Sequence, residues 1–180
     1  MCGRVVQKSG PLRLSIVEGL DVSDNRMGNV PPRYNAAPSQ ELLVIRQNHK
    51  TGERSLDLLR WGLIPYWCQD PKGGRKPINA KAESVSRLPM FREAYAQRRC
   101  IVPVDGFFEW RAIKGARVKQ PYAIAMKDGS PFGLSGAVGE LAQSEEPTAS
   151  KAKARFSATT QANSVRAAMI AASVICPTTA

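Results

Sequence analysis

The sequence predicts an α+β fold, a mixed and mainly antiparallel β-sheet flanked by a few helices. Short apolar runs recur between turn signals, as expected for antiparallel strands, and only two stretches have a helical pattern. The 180 residues, 43% of them hydrophobic, suffice for one substantial core. We therefore predict a single domain over residues 1–180.

The two helical stretches lie near residue 10 and between Met90 and Arg99. Ser9 and Pro11 are typical of a cap and first helical turn, and a stripe at intervals of four follows them. We expect core packing for both stripes, which are Leu12, Ile16 and Leu20 in the first helix and Phe91, Ala94 and Tyr95 in the second.

The predicted strands form a series of reversals. Residues 42–45 and 56–59 read as an antiparallel pair around a turn at 48–52. A central strand at 100–104, broken by Pro103, precedes a second strand at 107–110. The alternation of Tyr122, Ile124 and Met126 predicts another strand, which a turn at 128–131 returns into residues 132–138.

The first four residues, Met1, Cys2, Gly3 and Arg4, contain an unusual reagent. Removal of Met1 makes Cys2 a 1,2-aminothiol, whose amine can form a Schiff base with an aldehyde and whose thiol can close the ring to a thiazolidine. The thiol can alternatively attack acyl carbons. Nearby positive charge, to which Arg4 can contribute, lowers the pKa values of the amine and the thiol, and a modest lowering makes both groups nucleophilic near neutral pH. A cysteine at a frayed terminus without function is the alternative.

The charge balance favours a polyanionic partner. Lys and Arg number 26 against 15 Asp and Glu, a net charge of +11. The basic residues are dispersed, which fits a folded basic surface better than a disordered arm.

The four cysteines are scattered, and His49 is the single histidine, so neither a zinc site nor any other cofactor is predicted. No run has the length of a membrane span and the N-terminus has no secretory pattern. We expect a cytoplasmic, bacterial-type protein that is monomeric, does not bind membranes, and associates with the nucleoid when bound to DNA.

Three further segments contain candidate functional residues, and two of them have two readings each. The aromatic run from Trp61 to Trp67 precedes a basic, Gly-rich loop at 69–77, so it is either a base-stacking platform or core aromatics beside a solvated loop. Asn79, Lys81 and Glu83 share one side if their segment is extended. Glu109 is an acid among aromatic residues, either poised for proton transfer or facing water.

Five ordered motifs resemble those of the SRAP family, the SOS-response-associated peptidases. They are Met1–Arg4, Arg33–Pro38 (RYNAAP), Trp61–Pro65 (WGLIP), Ile78–Glu83 (INAKAE) and Cys100–Trp110 (CIVPVDGFFEW). The resemblance covers residues 1 to about 165. It implies a DNA-damage enzyme, lyase-like, that senses abasic sites in single-stranded DNA and captures them as a thiazolidine at Cys2. The peptidase-like label would refer to autoproteolytic removal of Met1.

The resemblance also implies roles for individual residues. Cys2 would be the crosslinking nucleophile and Glu109 the acid/base, while Asn35 and Asn79 would position the cysteine and the sugar. The residues implied to hold phosphates are Arg4, Arg33 and Lys81, and those implied to stack on bases are Trp61 and Trp67. The family usually has arginine at the position of Lys81, and lysine keeps the charge but loses the bidentate fork.

The resemblance weakens after Thr159–Asn163 (TTQAN). The family continues into a His-x-Arg-x-Pro motif whose histidine assists opening of the sugar ring, whereas residues 166–180 diverge. A frameshift near Ala168 is one hypothesis for this difference, and reduced activity is its expected consequence. Two other functions stay open: an N-terminal-nucleophile thiol peptidase or amidohydrolase, and a non-catalytic single-stranded-DNA-binding module.

Overall fold

A computed structural model defines residues 3–17, 30–48, 50–65, 67–68 and 77–139 in full, and residues 18 and 168–174 by their backbone. The strands are β1 (Val5–Gln7), β2 (Arg33–Ala36), β3 (Glu41–Gln47), β4 (Arg54–Trp61), β5 (Arg99–Val104), β6 (Gly106–Ala112), β7 (Lys119–Ile124), β8 (Phe132–Gly139) and β9 (Ala168–Val174). The helices are α1 (Pro11–Ser15), continued by a 3-10 helix at Ile16–Glu18, then α2 (Ala82–Val85) and α3 (Pro89–Gln97). This mainly antiparallel architecture confirms the α+β prediction.

The strands form two units. Four of them make an antiparallel sheet in the order β2-β1-β6-β7, with β1 and β6 at its centre. The other five close into a barrel in the order β3-β4-β9-β8-β5, where β4 and β9 are the parallel pair. The backbone of β9 fills the place between β4 and β8.

The sheet and the barrel share one apolar core. Val5 and Phe107 from the sheet belong to the same buried cluster as Val44, Trp61 and Val102 from the barrel. Inward positions alternate along each strand, so the apolar side chains of β3, β4 and β5 meet inside the barrel. The sheet is therefore packed directly against the barrel.

The buried side chain of Gln7 ties β1 to two barrel strands. Its Nε2 donates to the carbonyl oxygens of Leu43, at 2.8 Å, and Pro103, at 2.7 Å. Its Oε1 accepts from the backbone N–H of Leu43 at 2.9 Å. One side chain thus satisfies three buried backbone groups.

The prediction for the first helix was right in place but wrong in its buried face. Leu14 and Ser15 are buried, whereas Leu12 is 62% and Ile16 is 70% exposed. Leu12 and Ile16 thus share the outward face of this short helix, and the face that packs on the core is formed by Leu14 and Ser15. Leu20 lies outside the described residues.

The cap of α1 also differs from the prediction. Gly10 is the N-cap, without a side-chain cap bond, and the hydroxyl of Ser9 donates to the Asp105 carboxylate instead. Ser9 therefore fixes the chain before the helix to the junction between β5 and β6. In the second predicted helix, Phe91 and Ala94 are buried as expected, while Tyr95 is 37% exposed.

Two strand predictions need correction. Pro103 does not break β5, because the pairing of β5 with β3 is confined to Cys100 and Ile101, and Pro103 lies across from Gly133 of β8. The turn at 128–131 does not make a hairpin, since β7 pairs with β6 while β8 pairs with β5 and β9. That turn connects the two units.

The extended conformation predicted for residues 78–84 ends at Lys81. Glu83 lies in α2, so it does not continue the polar side of Asn79 and Lys81. None of the helices in the part of the chain that the structure describes is long and apolar enough to cross a membrane.

Candidate DNA-lesion site

The N-terminal stretch runs between β2 and β6. Val5 pairs with Ala36 on one side and with Phe107 on the other, and the backbone N–H of Phe108 donates to the Arg4 carbonyl at 3.0 Å. Continuing this antiparallel register places Gly3 across from Glu109. Met1 and Cys2 lie outside the described residues.

Arg4 is partly buried beside this register. Its Nη1 donates to the Gly3 carbonyl at 3.0 Å, which holds the side chain along its own backbone. The positive charge of Arg4 therefore lies next to the backbone of Gly3.

Strand β2 supplies the neighbouring polar groups. Arg33 pairs with Gln7, and Asn35 directly precedes Ala36, the partner of Val5. Asn35 is exposed, while the Nε of Arg33 is buried and has no hydrogen-bond partner among the described residues. Since a buried guanidinium nitrogen normally has a partner, Arg33 is suited to an acceptor that a ligand supplies.

The segment before α2 is anchored to the core by backbone and ring contacts. The indole Nε1 of Trp61 donates to the Ile78 carbonyl at 2.8 Å, and the N–H of Leu63 donates to the Pro77 carbonyl at 2.9 Å. Ile78 packs against the cluster that contains Val5 and Phe107.

The two candidate residues of this segment follow that anchor directly. Asn79 is half-buried, and Lys81 is exposed at the start of α2. The anchor therefore fixes the backbone directly before both residues.

The two candidate stacking residues have opposite environments. Trp61 is only 1% exposed and lies in the core, so its ring is not accessible to a base; this corrects the expectation from the sequence. Trp67 is 56% exposed, just after a turn in which the Cys68 N–H donates to the Pro65 carbonyl at 2.9 Å. Trp67 is thus the accessible indole of the pair.

Tyr122 was missed by the sequence analysis. It lies directly across from Glu109 on β7 and is 49% exposed, so the two side chains are on the same face of the sheet. The sequence signal was Gly115, a typical turn residue. In the structure it has a positive φ of 82° in the reversal between β6 and β7. Counting outward from that turn pairs Tyr122 with Glu109.

The role of Asp105 was also missed. One carboxylate oxygen accepts from the backbone N–H groups of Lys8, at 2.7 Å, and Ser9, at 2.9 Å. Asp105 precedes β6, so these bonds fix the strand that carries Glu109 relative to the end of β1. Nothing in the local sequence distinguishes this aspartate from a turn residue.

Several predicted features lie outside the described residues. They are Cys2, His49, the basic loop at 69–76 and the Thr159–Asn163 stretch. The described geometry thus brings Arg4, Asn35 and Glu109 to neighbouring strands, with Arg33 further along β2 and Asn79 and Lys81 on the anchored segment.

Comparison with known proteins agrees with this architecture and these motifs. Residues 1–170 match the family model of SOS response associated peptidase (SRAP). The chain belongs to this family, which confirms the resemblance drawn from the five motifs.

Its relatives include the abasic site processing proteins YoaM of Bacillus subtilis and YedK of Escherichia coli. YoaM is 38% identical over 137 residues, which cover 76% of this chain and 58% of YoaM. YedK is 31% identical over 134 residues, which cover 73% of this chain and 57% of YedK. The chain spans about half the length of the curated relatives that it matches.

A solved structure shares the fold. A phage-related protein from Bordetella bronchiseptica superposes with a TM-score of 0.64 at 24% identity, covering 95% of this chain and 68% of that chain.

Proposed function

We propose that this protein senses abasic sites in single-stranded DNA and captures them as a covalent DNA–protein crosslink through Cys2, after removal of Met1. Family membership and relatives named abasic site processing proteins support the class of reaction. The observation that carries the proposal is the register of β1 with β6, which sets Gly3 across from Glu109. Cys2 is bonded to Gly3, and this register supports Glu109 as the carboxylate that serves its amine and thiol.

The proposed reaction uses two nucleophiles in turn. The free amine of Cys2 attacks the aldehyde carbon of the ring-opened sugar, and loss of water leaves a Schiff base. The thiol sulfur then adds to the imine carbon while its proton passes to the nitrogen, which closes the thiazolidine without a further leaving group. Glu109 moves the protons in both steps, and Asn35 and Asn79 orient the cysteine and the sugar.

The proposed DNA contacts use the remaining site residues. Arg4, Arg33 and Lys81 bind phosphates that flank the lesion. The Nε of Arg33, which has no hydrogen-bond partner among the described residues, supports its part. Trp67 stacks on a base next to the lesion, whereas Trp61 supports the site from the core. Tyr122 offers a second ring beside Glu109.

Intact-mass spectrometry after mixing the protein with abasic single-stranded DNA tests the proposal. We expect Met1 to be absent and a heat-stable adduct with the mass of protein plus DNA minus one water. Cys2→Ser should abolish the adduct, because a hydroxyl closes the ring far less readily than a thiol. Cys68→Ser is the matched control and should crosslink as the wild type does.

The alternatives give different outcomes in the same experiment. Hydrolysis of amide substrates without any adduct would indicate a thiol amidohydrolase. Binding that is indifferent to the lesion, again without adduct, would indicate a non-catalytic module. Retention of Met1 in nearly all molecules would contradict the crosslinking proposal.

A chain without the histidine that the family resemblance implies should capture the lesion slowly rather than not at all. Abasic sugars are mostly ring-closed, and general acid-base assistance is worth roughly a hundredfold or more. We expect a variant with a family-like His-Asp-Arg segment after Asn163 to form the adduct at least about tenfold faster, measured from time courses. Equal rates would show that another group, with Glu109 the first to test, opens the sugar.

A further inference from the structure

The hairpin of β6 and β7 extends well past the strand beside it. β1 begins at Val5, across from Phe107. β6 continues for five more residues and stays paired with β7, up to Ala112 across from Lys119. These five residues span roughly 17 Å of extended chain. We call residues 110–121, the outer part of this hairpin with its turn, the hairpin arm.

The hairpin arm is exposed along its whole length. Its chain contains no acidic residue and four basic ones, Arg111, Lys114, Arg117 and Lys119. Trp110, Ile113 and Val118 are 41%, 48% and 75% exposed. Exposed apolar side chains that cluster in this way indicate an interaction surface. Together with the cations they suit single-stranded nucleic acid, which presents both phosphates and unpaired bases.

Strand alternation divides the basic residues of the hairpin arm between its two faces. Arg111 lies two residues beyond Glu109, so the two side chains share one face. Lys119 pairs with Ala112 and therefore lies on the opposite face. The face that carries Glu109 thus continues outward into Arg111, and beyond it into the turn.

The spacing along this face fits a nucleotide next to the lesion. Alternate residues of a strand lie about 7 Å apart, so Arg111 is one such step beyond Glu109. Tyr122 is across from Glu109 on the same face and is 49% exposed. With the lesion sugar at Glu109, Tyr122 can stack on the neighbouring base while Arg111 binds its phosphate.

The positive charge increases outward from the lesion site. Glu109 is the single acidic residue in the stretch 109–121, and it lies at the inner end of that stretch. The turn at the outer end carries Lys114 and Arg117. A polyanionic strand that leaves the lesion site along this face therefore meets only cations of the hairpin arm.

Continuity with the lesion site favours DNA over an acidic protein as the occupant. We propose that the hairpin arm binds the single-stranded DNA on one side of the lesion, with Arg111 and the turn cations Lys114 and Arg117 contacting its phosphates. This proposal rests on the proposed function, because Glu109 locates the lesion. The phosphates concerned are additional to those assigned to Arg4, Arg33 and Lys81.

The two faces of the hairpin arm provide a matched pair of variants. Fluorescence anisotropy with DNA that carries a reduced abasic site measures binding without crosslinking, because the reduced sugar has no aldehyde. Arg111→Gln should weaken binding roughly fivefold, as expected for an exposed charge pair. Lys119→Gln makes the same charge change on the opposite face and should weaken it by less than about twofold. Equal affinities of the two variants would overturn the proposal.

The salt dependence of binding tests the turn. Lys114→Gln/Arg117→Gln should make the slope of log K against log salt shallower by about 1.4, since each phosphate contact with a single strand contributes about 0.7. The control is Lys50→Gln/Arg92→Gln, which removes two exposed charges outside the hairpin arm. It should leave the slope nearly unchanged, and equal slopes in the two double variants would contradict the role of the turn.

Strand polarity tests whether the hairpin arm lies on one side of the lesion. Two oligonucleotides carry the reduced abasic site at the 5′ end or at the 3′ end, so that their DNA extends in opposite directions. Lys114→Gln/Arg117→Gln should lose affinity for one of them only. Equal losses for both, or no loss for either, would overturn the one-sided assignment.

These measurements are independent of the crosslinking chemistry. A wild-type protein that forms no adduct with unreduced abasic DNA would contradict the proposed function, whether or not the hairpin arm binds DNA. Unchanged affinity in Arg111→Gln and in Lys114→Gln/Arg117→Gln would contradict the hairpin arm alone. Because all three residues are exposed, the thermal unfolding midpoints of both variants should match that of the wild type.

Discussion

Trp61 and Trp67 have the same side chain but opposite environments, which separates stability from DNA binding. Trp61 is buried and its Nε1 satisfies the Ile78 carbonyl. Trp61→Leu should lower the free energy of unfolding by about 3 kcal/mol or more, since it opens a cavity and leaves that carbonyl unpaired. Trp67→Leu should change it by less than about 0.5 kcal/mol. Urea denaturation measures both.

The two substitutions should rank in the opposite order by their effect on DNA affinity, with Trp67→Leu weakening binding more than Trp61→Leu. Trp67→Leu removes a stacking ring, which is worth about 1–3 kcal/mol per base. Fluorescence anisotropy with single-stranded DNA, under conditions where both variants are folded, compares them. A Trp67→Leu protein with undiminished affinity would remove Trp67 from the proposed DNA surface.

Cys100 makes stability depend on alkaline pH. Burial raises the pKa of its thiol from 9.0 to about 12 in the folded state. Between these values the unfolded chain ionises and the folded chain does not, so the unfolded state binds fewer protons and stability falls as pH rises. Below pH 9 the thiol is protonated in both states, so the ionisation of Cys100 does not lower the free energy of unfolding there.

The slope from this thiol should approach about 1.4 kcal/mol per pH unit at most. Urea denaturation of the wild type and Cys100→Val between about pH 8 and 11 measures it. The variant should lose stability less steeply over that range. Parallel curves would mean that the folded thiol ionises as readily as the unfolded one.

Among the secondary-structure elements, the connection between β1 and the barrel depends on Gln7. Gln7→Leu should lower the free energy of unfolding by at least about 2 kcal/mol, because buried backbone groups of Leu43 and Pro103 lose their partners. Gln47→Leu is the control, since its side chain makes one exposed bond to the Gly52 carbonyl. It should cost less than about 0.5 kcal/mol. Equal losses would show that the Gln7 bridge contributes little.

The elements that were predicted correctly are those whose pattern lies within one short stretch of sequence. The β3–β4 hairpin follows from an apolar run, a turn and a second apolar run, and it forms with Leu43 across from Leu58 as such a pattern requires. The prediction of a β7–β8 hairpin was wrong, because a turn at 128–131 is equally compatible with a connection between the sheet and the barrel. Barrel closure depends on β9, which lies far along the chain from β4 and β8.

At the scale of the whole molecule, the motifs identified the family, while the packing decided which motif residues are accessible. Trp61 and Trp67 share one motif region, and only tertiary burial distinguishes them. The Gln7 bridge was not predictable because Gln7, Leu43 and Pro103 come from three strands whose register no local pattern reveals. Residues near in sequence were thus predicted better than residues brought together by the barrel.

The net charge of +11 predicts that binding to single-stranded DNA weakens as salt is raised. If Arg4, Arg33 and Lys81 are the three residues that neutralise phosphates, counterion release gives a slope of about −2 for log K against log salt. Lys81→Gln should make that slope shallower by about 0.7, whereas Lys50→Gln, exposed in the β3–β4 turn, should leave it unchanged.

Titrations with undamaged DNA at several salt concentrations measure the slope before any covalent step. A slope near −2 that responds to Lys81 supports the three-contact surface. A slope steeper than about −4 would require further phosphate contacts beyond these three residues. A slope near zero would contradict phosphate neutralisation altogether, because neutral contacts release no counterions.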